Sequence, residues 1–348
     1  MNIVYDVTSL MQKNLTPEGI YTKHLYRLLR GLGASITPVF SPPRGVKENY
    51  ISNHLGHAPK KFYGMFTPKN SILHGPSGNL LSESDKFKKV ISIHDLAMFR
   101  DGYMSPGVSS QLQTHLKQQM QQDIKAIIVP SYEVHNEFLV RFPKFVNKVH
   151  VIEPGCDHIL DSSNVGDGRV VDGPYFLFVG TIDKKSNVAG VIKAFDAFCS
   201  IKSGVKLVIA GDNGFGSEAI HKLLNSSKHR ERFTVVGSKS DSVLKQIYSG
   251  ALGLIIPSYY EGFSFPLVEA MKMGCPVVTS GLGSMKDVGG EAVHLVNPKD
   301  PEQIMGGMER IFADRVYKDK LVSAGQNLTE KMTWLKCARE LINVYQKI

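Results

Sequence analysis

The sequence predicts an α/β protein built from two Rossmann-like halves, and three observations carry that prediction. A chain of 348 residues is too long for one small core and suits two domains of about 100–200 residues each. From Tyr175 onward, short apolar runs alternate with helical patterns, which implies a parallel sheet with helices on both faces. The first half opens in the same way, with a strand, a loop containing glycine and a helix.

In order, Asn2–Val7 reads as a strand and Thr8–Gly19 as a loop. Ile20–Leu32 reads as a helix, with Tyr21, Leu25, Leu28 and Leu29 at helical spacing and Gly31 and Gly33 closing it. The nucleotide-binding outline lacks a G-x-G-x-x-G, so the glycine of this loop is as well explained by a turn. Residues 35–70 show no periodicity and read as loop and short helix. Ser71–Pro76 and Lys89–Asp95 read as strands ending in His74-Gly75-Pro76 and His94-Asp95, where open α/β sheets bind ligands. Val108–Lys125, with Leu112, Leu116, Met120 and Ile124 four apart, reads as an amphipathic helix covering the sheet. Ala126–Ser131 is a strand, Glu133–Arg141 a helix and Lys148–Ile152 the last strand of this half. Asp161–Pro174 turns to Asp, Ser and Gly, as a hinge does.

The second half runs from the strand Tyr175–Gly180 to a helix over Val188–Ile201 and a strand over Lys206–Ala210. Gly211–Gly216 is a weak glycine signal. A helix, a strand at Phe233–Val236 and a helix over Ser240–Ser249 follow. The densest stretch is Leu254–Ser280. Its strand Leu254-Ile255-Ile256 breaks at Pro257-Ser258, and a loop carries Glu261 and Gly262. Ser264 then reads as an N-cap, Pro266 as a first-turn proline, Gly274 as a stop and Pro276–Val278 as the next strand. Glu261 precedes that helix and Glu269 lies one turn into it, beside helix-terminal N–H groups that favour an anion. The arrangement suits a ligand with hydroxyls and a phosphate. The tail from Met332 to Ile348 places Leu335, Ala338, Leu341 and Val344-Tyr345 at helical intervals, with the sole tryptophan, Trp334, at its start.

Composition narrows the classes. Hydrophobic content of 42% with 21% charged residues is that of an ordinary globular protein. No apolar run reaches the roughly 18–20 residues needed to cross a bilayer, and Met1–Asp6 lacks the layout of a secretory signal, so a cytoplasmic protein is expected. The cysteines Cys156, Cys199, Cys275 and Cys337 form no CxxC pair, which suggests neither zinc nor a disulfide framework. The formal charge of +9 is dispersed through short runs such as Lys86–Lys89 rather than gathered into an aromatic-interleaved stripe. Nucleic acid is therefore not an expected partner; the charge reads first as solvated surface and second as weak affinity for an anionic membrane surface.

Glu261-Gly-Phe-Ser-Phe-Pro-Leu-Val-Glu269-Ala, two glutamates separated by seven residues, resembles the signature of the family-4 retaining glycosyltransferases of GT-B fold. The resemblance covers nearly the whole chain, most densely from 175 to 300. It implies two Rossmann-like domains facing a central cleft: an acceptor-binding domain over 1–165, completed by a C-terminal helix over 333–348, and a nucleotide-sugar donor-binding domain over 172–332. It implies transfer of a hexosyl group with retention from GDP-mannose or a UDP-hexose to a glycan or lipid-linked acceptor, as in cell-surface polysaccharide synthesis, with no cofactor and no metal. The backbone of Gly262, Phe263, Ser264 and Phe265 would meet the donor sugar and its phosphate, Glu269 the ribose hydroxyls, and Glu261 the transferred sugar. His94 would contact the donor at the reaction centre and His74 would line the acceptor side. Gly19, in Gly19-Ile-Tyr-Thr-Lys-His-Leu25, would let the backbone approach the diphosphate or acceptor. Glu153–Asp157 resembles the turn that closes the first domain, and the Gly281–Val288 loop would lie near the diphosphate.

One departure stands out. Gly180-Thr-Ile-Asp-Lys-Lys-Ser-Asn187 resembles a loop that usually gives a lysine, and often an arginine, to the leaving diphosphate, yet Ser186 and Thr181 occupy those places. Lys185, with Lys184 beside it, is the expected substitute. The alternatives are a non-catalytic nucleotide-sugar-binding protein that has lost the lysine, and a nucleotide-sugar epimerase.

Overall fold

The computed structural model describes residues 1–41, 49–62, 70–160 and 171–348 and divides into two units. The first comprises Met1–Phe99, Gly107–Gly155 and Thr333–Ile348, and the second Arg100–Pro106 and Cys156–Met332. The expected boundary at 165 and most of the expected hinge, 161–170, lie outside the described residues.

The first unit runs β1 (Asn2–Asp6), α1 (Pro17–Gly31), β2 (Ser35–Phe40), α2 (Asn49–Leu55), β3 (Lys60–Lys61), β4 (Ile72–Gly75), β5 (Lys88–Ser92), α3 (Pro106–Gln119), β6 (Ile124–Val129), α4 (Tyr132–Arg141) and β7 (Val149–Val151). Among the described residues its strands form one seven-stranded parallel sheet in the order β3-β2-β1-β4-β5-β6-β7. β2 was hidden in the sequence by Pro38, which interrupts a strand pattern, although it sits in register with Tyr5 of β1. Ile124, expected on the helix, begins β6 instead: α3 stops at Gln119, and the buried Met120 packs beyond its end. α1 starts three residues before its expected onset because Thr16 caps it, its hydroxyl accepting from Gly19 N at 3.3 Å. Gly19 therefore lies inside the first helical turn rather than in a flexible loop. A Cβ there would come within 3.1 Å of Leu15 and 3.3 Å of the Ser9 carbonyl, so the glycine serves close packing.

The second unit runs β8 (Tyr175–Val179), α5 (Val188–Ile201), β9 (Lys206–Ala210), α6 (Ser217–Asn225), β10 (Phe233–Val235), α7 (Asp241–Gly250), β11 (Gly253–Ile256), α8 (Phe265–Lys272), β12 (Val277–Ser280), α9 (Gly283–Gly289), β13 (His294–Val296), α10 (Pro301–Ala313) and α11 (Arg315–Glu330). Its parallel sheet has the order β10-β9-β8-β11-β12-β13. The near-continuous apolar strands are buried on both faces, as a sheet sandwiched by helices requires. The order reverses between β8 and β11, and the crevice outside the carboxyl ends of two such strands is where α/β sheets bind ligands. The Gly281–Val288 stretch, expected as a loop, is largely helix α9.

α12 (Trp334–Lys347) belongs to the first unit. Thr333 caps it, and Trp334 stacks on His24 of α1 at 5.2 Å between ring centroids. Leu335 is half-exposed, and the inward face is made by Trp334, Cys337, Ala338, Leu341, Val344 and Tyr345. Gly155 has no room for a Cβ, which would overlap the Trp334 backbone, so a glycine is required where this helix begins. Among the described residues no helix is long and apolar enough to cross a membrane.

Candidate active site

The loops that leave β8 and β11, on either side of the strand-order reversal, are tied together by one buried asparagine. Asn187 takes a left-handed backbone (φ 57°), which Asn tolerates better than most side chains. Its Oδ1 caps α5 by accepting from Gly190 N at 3.2 Å, while Nδ2 donates to the carbonyls of Pro257 (3.0 Å) and Pro298 (2.7 Å). Tyr259 N donates to Lys185 O at 2.9 Å, and Ser284 Oγ of α9 donates to the Glu261 carbonyl. The glutamate loop is thus pinned from three sides before any ligand arrives. Such pinning matters because a site a single ångström loose loses much of its positioning power.

On this frame Lys185 Nζ lies 3.1 Å from Glu261 Oε2, and Ser258 Oγ donates to Oε1 at 3.3 Å. The pair is partly buried, so neither charge is fully screened by water. Lys185 is where a cationic substitute was expected, but it already faces Glu261, and an arriving diphosphate has to share it. Ser186, the residue at the usual lysine position, is buried and turned inward, its N–H donating to Asp183 Oδ1 at 2.8 Å. Lys184 is exposed and lines, with Asn187, Phe215 and Tyr259, a cavity of about 390 Å³.

α8 carries the second glutamate. Pro266 sits in its first turn and Ser264 at its N-cap, as the sequence predicts, with no hydrogen bond from the Ser264 side chain to the helix. The Phe263 and Phe265 rings meet edge to face at 5.3 Å. Gly262, Ser264 and Phe265 are buried and Phe263 half-buried. Glu269 is 4% exposed, and each of its oxygens has a partner: His158 Nε2 at 3.0 Å from Oε1 and the Tyr248 hydroxyl at 3.0 Å from Oε2. The two glutamates, expected to face one crevice together, thus have separate partner sets. Sequence reading found neither His158 nor Tyr248, because one lies 111 and the other 21 residues from Glu269 and nothing in their local patterns marks them. Burial, the largest influence, pulls His158 down, yet the hydrogen bond and charge of Glu269, with Asp241 and Asp157, outweigh it and hold the imidazole above its ordinary value.

In the first unit His94 is half-buried, with Nε2 2.6 Å from the Pro76 carbonyl and its ring edge-on to Tyr21 at 4.8 Å. His74 differs from its expected place on an acceptor surface. It is fully buried, with Nδ1 2.5 Å from the Tyr345 hydroxyl and Nε2 2.9 Å from Ser92 Oγ. Period-2 alternation could not expose this, since β4 is buried on both faces. Burial, helped by the neighbouring His94, pulls His74 down to about 3, so it is neutral in the folded protein and joins β4, β5 and α12. A histidine whose folded value lies below its unfolded 6.5 contributes stability that is present above pH 6.5 and lost as pH falls toward 3. In denaturant titrations at pH 7.5 and 4.5, His74→Phe should therefore lose less stability on acidification than the wild type. An equal loss in both would contradict a neutral buried His74.

Residues 166–328 match the family described as Glycosyl transferases group 1. The chain carries a group 1 glycosyl transferase domain. The O-antigen chain mannosyltransferase B of Escherichia coli is 22% identical to it over 300 residues, covering 84% of this chain and 78% of that protein. Two solved structures resemble this glycosyl transferase over its full length. Sucrose-phosphate synthase from Thermosynechococcus elongatus superposes with a TM-score of 0.75 at 18% identity, covering 100% of this chain and 99% of that one. Anabaena HepE, in complex with UDP and glucose, gives 0.77 at 14% identity, with 100% of both chains covered. The fold is GT-B, two parallel-sheet Rossmann-like units. Within the group 1 domain, the loops after β8 and β11 bring together Lys185 and Glu261, and α8, which follows, carries the buried Glu269.

Proposed function

We propose that this glycosyltransferase is a family-4 retaining enzyme that moves a hexosyl group from a nucleotide-sugar, GDP-mannose or a UDP-hexose, to a glycan or lipid-linked acceptor in cell-surface polysaccharide synthesis. The observation that carries the reading is the pinned loop pair at the β8/β11 reversal, with Lys185 and Glu261 in contact and a buried carboxylate, Glu269, on the helix that follows. The similarity to a mannosyltransferase that builds O-antigen chains supports the mannosyl donor, and the UDP held by HepE supports the uridine alternative.

In this reading the glycosidic C–O bond to the diphosphate breaks as the acceptor oxygen attacks the same face, and the leaving phosphate takes the acceptor proton. The protein need supply no nucleophile. Its work is electrostatic and positional: Lys185 offsets charge gathering on the diphosphate, the α8 N-terminus adds its dipole, Glu261 orients the sugar and Glu269 holds the ribose.

A thermal-shift panel of UDP, GDP, UDP-glucose and GDP-mannose tests this. Ligand at about 100 times its dissociation constant should stabilise the protein by roughly 2.7 kcal/mol. We propose that no metal is needed, so EDTA should leave the shifts unchanged. Absence of a shift with every nucleotide would overturn the reading. Because Ser186 is buried where a lysine is usual, nucleotide binding without sugar transfer is the second reading. Release of nucleoside diphosphate coupled to acceptor glycosylation would end it.

A further inference from the structure

We propose that His158 is a positioning residue for donor binding: held against Glu269 Oε1, its imidazole keeps that carboxylate aimed so that two vicinal ribose hydroxyls can donate to it. The inference rests on reading Glu269 as the ribose acceptor.

An ionised carboxylate has about four lone-pair sites, two on each oxygen. His158 occupies one on Oε1 and Tyr248 one on Oε2, from different elements, and this fixes the plane of the group. One site remains on each oxygen, and the two oxygens of one carboxylate are an acceptor pair that a cis-diol matches. The clamp itself cannot wander. The His158 side chain is 1% exposed and its ring stands edge-on to Phe265, the first residue of α8, at 6.0 Å. Cys156, two residues earlier, donates its N–H to the Met332 carbonyl at 3.0 Å.

The charged and titratable groups facing His158 are Glu269 from α8, Asp241 and, through Glu269, Tyr248 from α7, and Asp157 from its own turn. All of the carboxylates favour a cationic imidazole. Without the His158 bond, Oε1 loses the contact that holds it in place, and the carboxylate is left held by Tyr248 alone. His158 thus acts on the ligand only through Glu269.

The test measures dissociation constants of UDP-glucose and GDP-mannose and of their 2′-deoxyribose analogues by calorimetry at neutral pH. His158→Phe should weaken ribonucleotide binding about tenfold or more and erase the preference for ribose over 2′-deoxyribose. His158→Gln, whose side-chain amide can still donate to Oε1, should restore much of the ribose preference at neutral pH. A merely structural histidine would lower the melting temperature without moving that preference.

Wild-type affinity and ribose preference in folded His158→Phe would overturn the inference. If His158→Phe does not melt cooperatively, His158→Asn, whose amide falls short of Oε1, is read in its place by the same two outcomes. Glu269→Ala separates the inference from the reading beneath it. Weakened binding in Glu269→Ala with unchanged His158 variants sinks the inference alone. Unchanged binding in Glu269→Ala, or no binding of either sugar nucleotide to the wild type, sinks both.

Discussion

Glu269→Ala is expected to remove nearly all nucleotide-dependent stabilisation, the roughly 2.7 kcal/mol that near-saturating ligand gives the wild type. The side chain is buried and bonded to both His158 and Tyr248, so truncation also strips a partner from two buried groups. Removing one member of a buried ion pair costs about 3–5 kcal/mol, so the unliganded variant should melt well below the wild type. Glu269→Gln separates the two losses. Its amide fills the same space and can keep one of the two hydrogen bonds, but it offers a single acceptor oxygen. The variant should therefore fold while still losing most of the ligand shift. A wild-type shift in both variants would contradict the ribose assignment.

The second large effect is expected at Lys185. A cation that offsets charge on a leaving diphosphate is worth about 3–4 kcal/mol of barrier, a factor of about 10²–10³ in kcat. Lys185→Ala should show that loss, read as nucleoside diphosphate released from donor in the presence of acceptor. Donor affinity should change less than kcat. Lys184→Ala alone should be mild, because Lys184 lines the neighbouring cavity and is exposed. The contact between Lys185 and Glu261 makes the two side chains energetically dependent, so Lys185→Ala and Glu261→Ala should be non-additive in a double-mutant cycle. Full turnover by the Lys184→Ala/Lys185→Ala protein would show that neither lysine replaces the one absent at Ser186.

What was legible in the sequence follows the strength of local signals. α5 and β9 fall at the residues the pattern marks, because a long apolar helix and a short β-branched run leave little room for another reading. Pro257, Ser264, Pro266 and Gly274 likewise carry their own backbone chemistry, so the frame around Glu261 and Glu269 was readable in advance. β2 was not, since Pro38 argues against a strand and only pairing with β1 outweighs it. Gly19 and His74 are ambiguous in the sequence for a different reason. A glycine before a helix and a histidine after apolar residues look alike whether they meet a ligand or the core, and only the caps, burial and partners around them decide. The clamp on Glu269 is the extreme case. His158, Tyr248 and Glu269 come from three separated segments, and their convergence is a property of the fold.

The most direct measurement is a crystal structure of the protein with UDP-glucose or GDP-mannose bound. Ribose hydroxyls within hydrogen-bond distance of Glu269, with the diphosphate against the 262–265 backbone and within reach of Lys185, are predicted. A nucleotide bound elsewhere on the chain, with Glu269 still occupied only by His158 and Tyr248, would contradict the account.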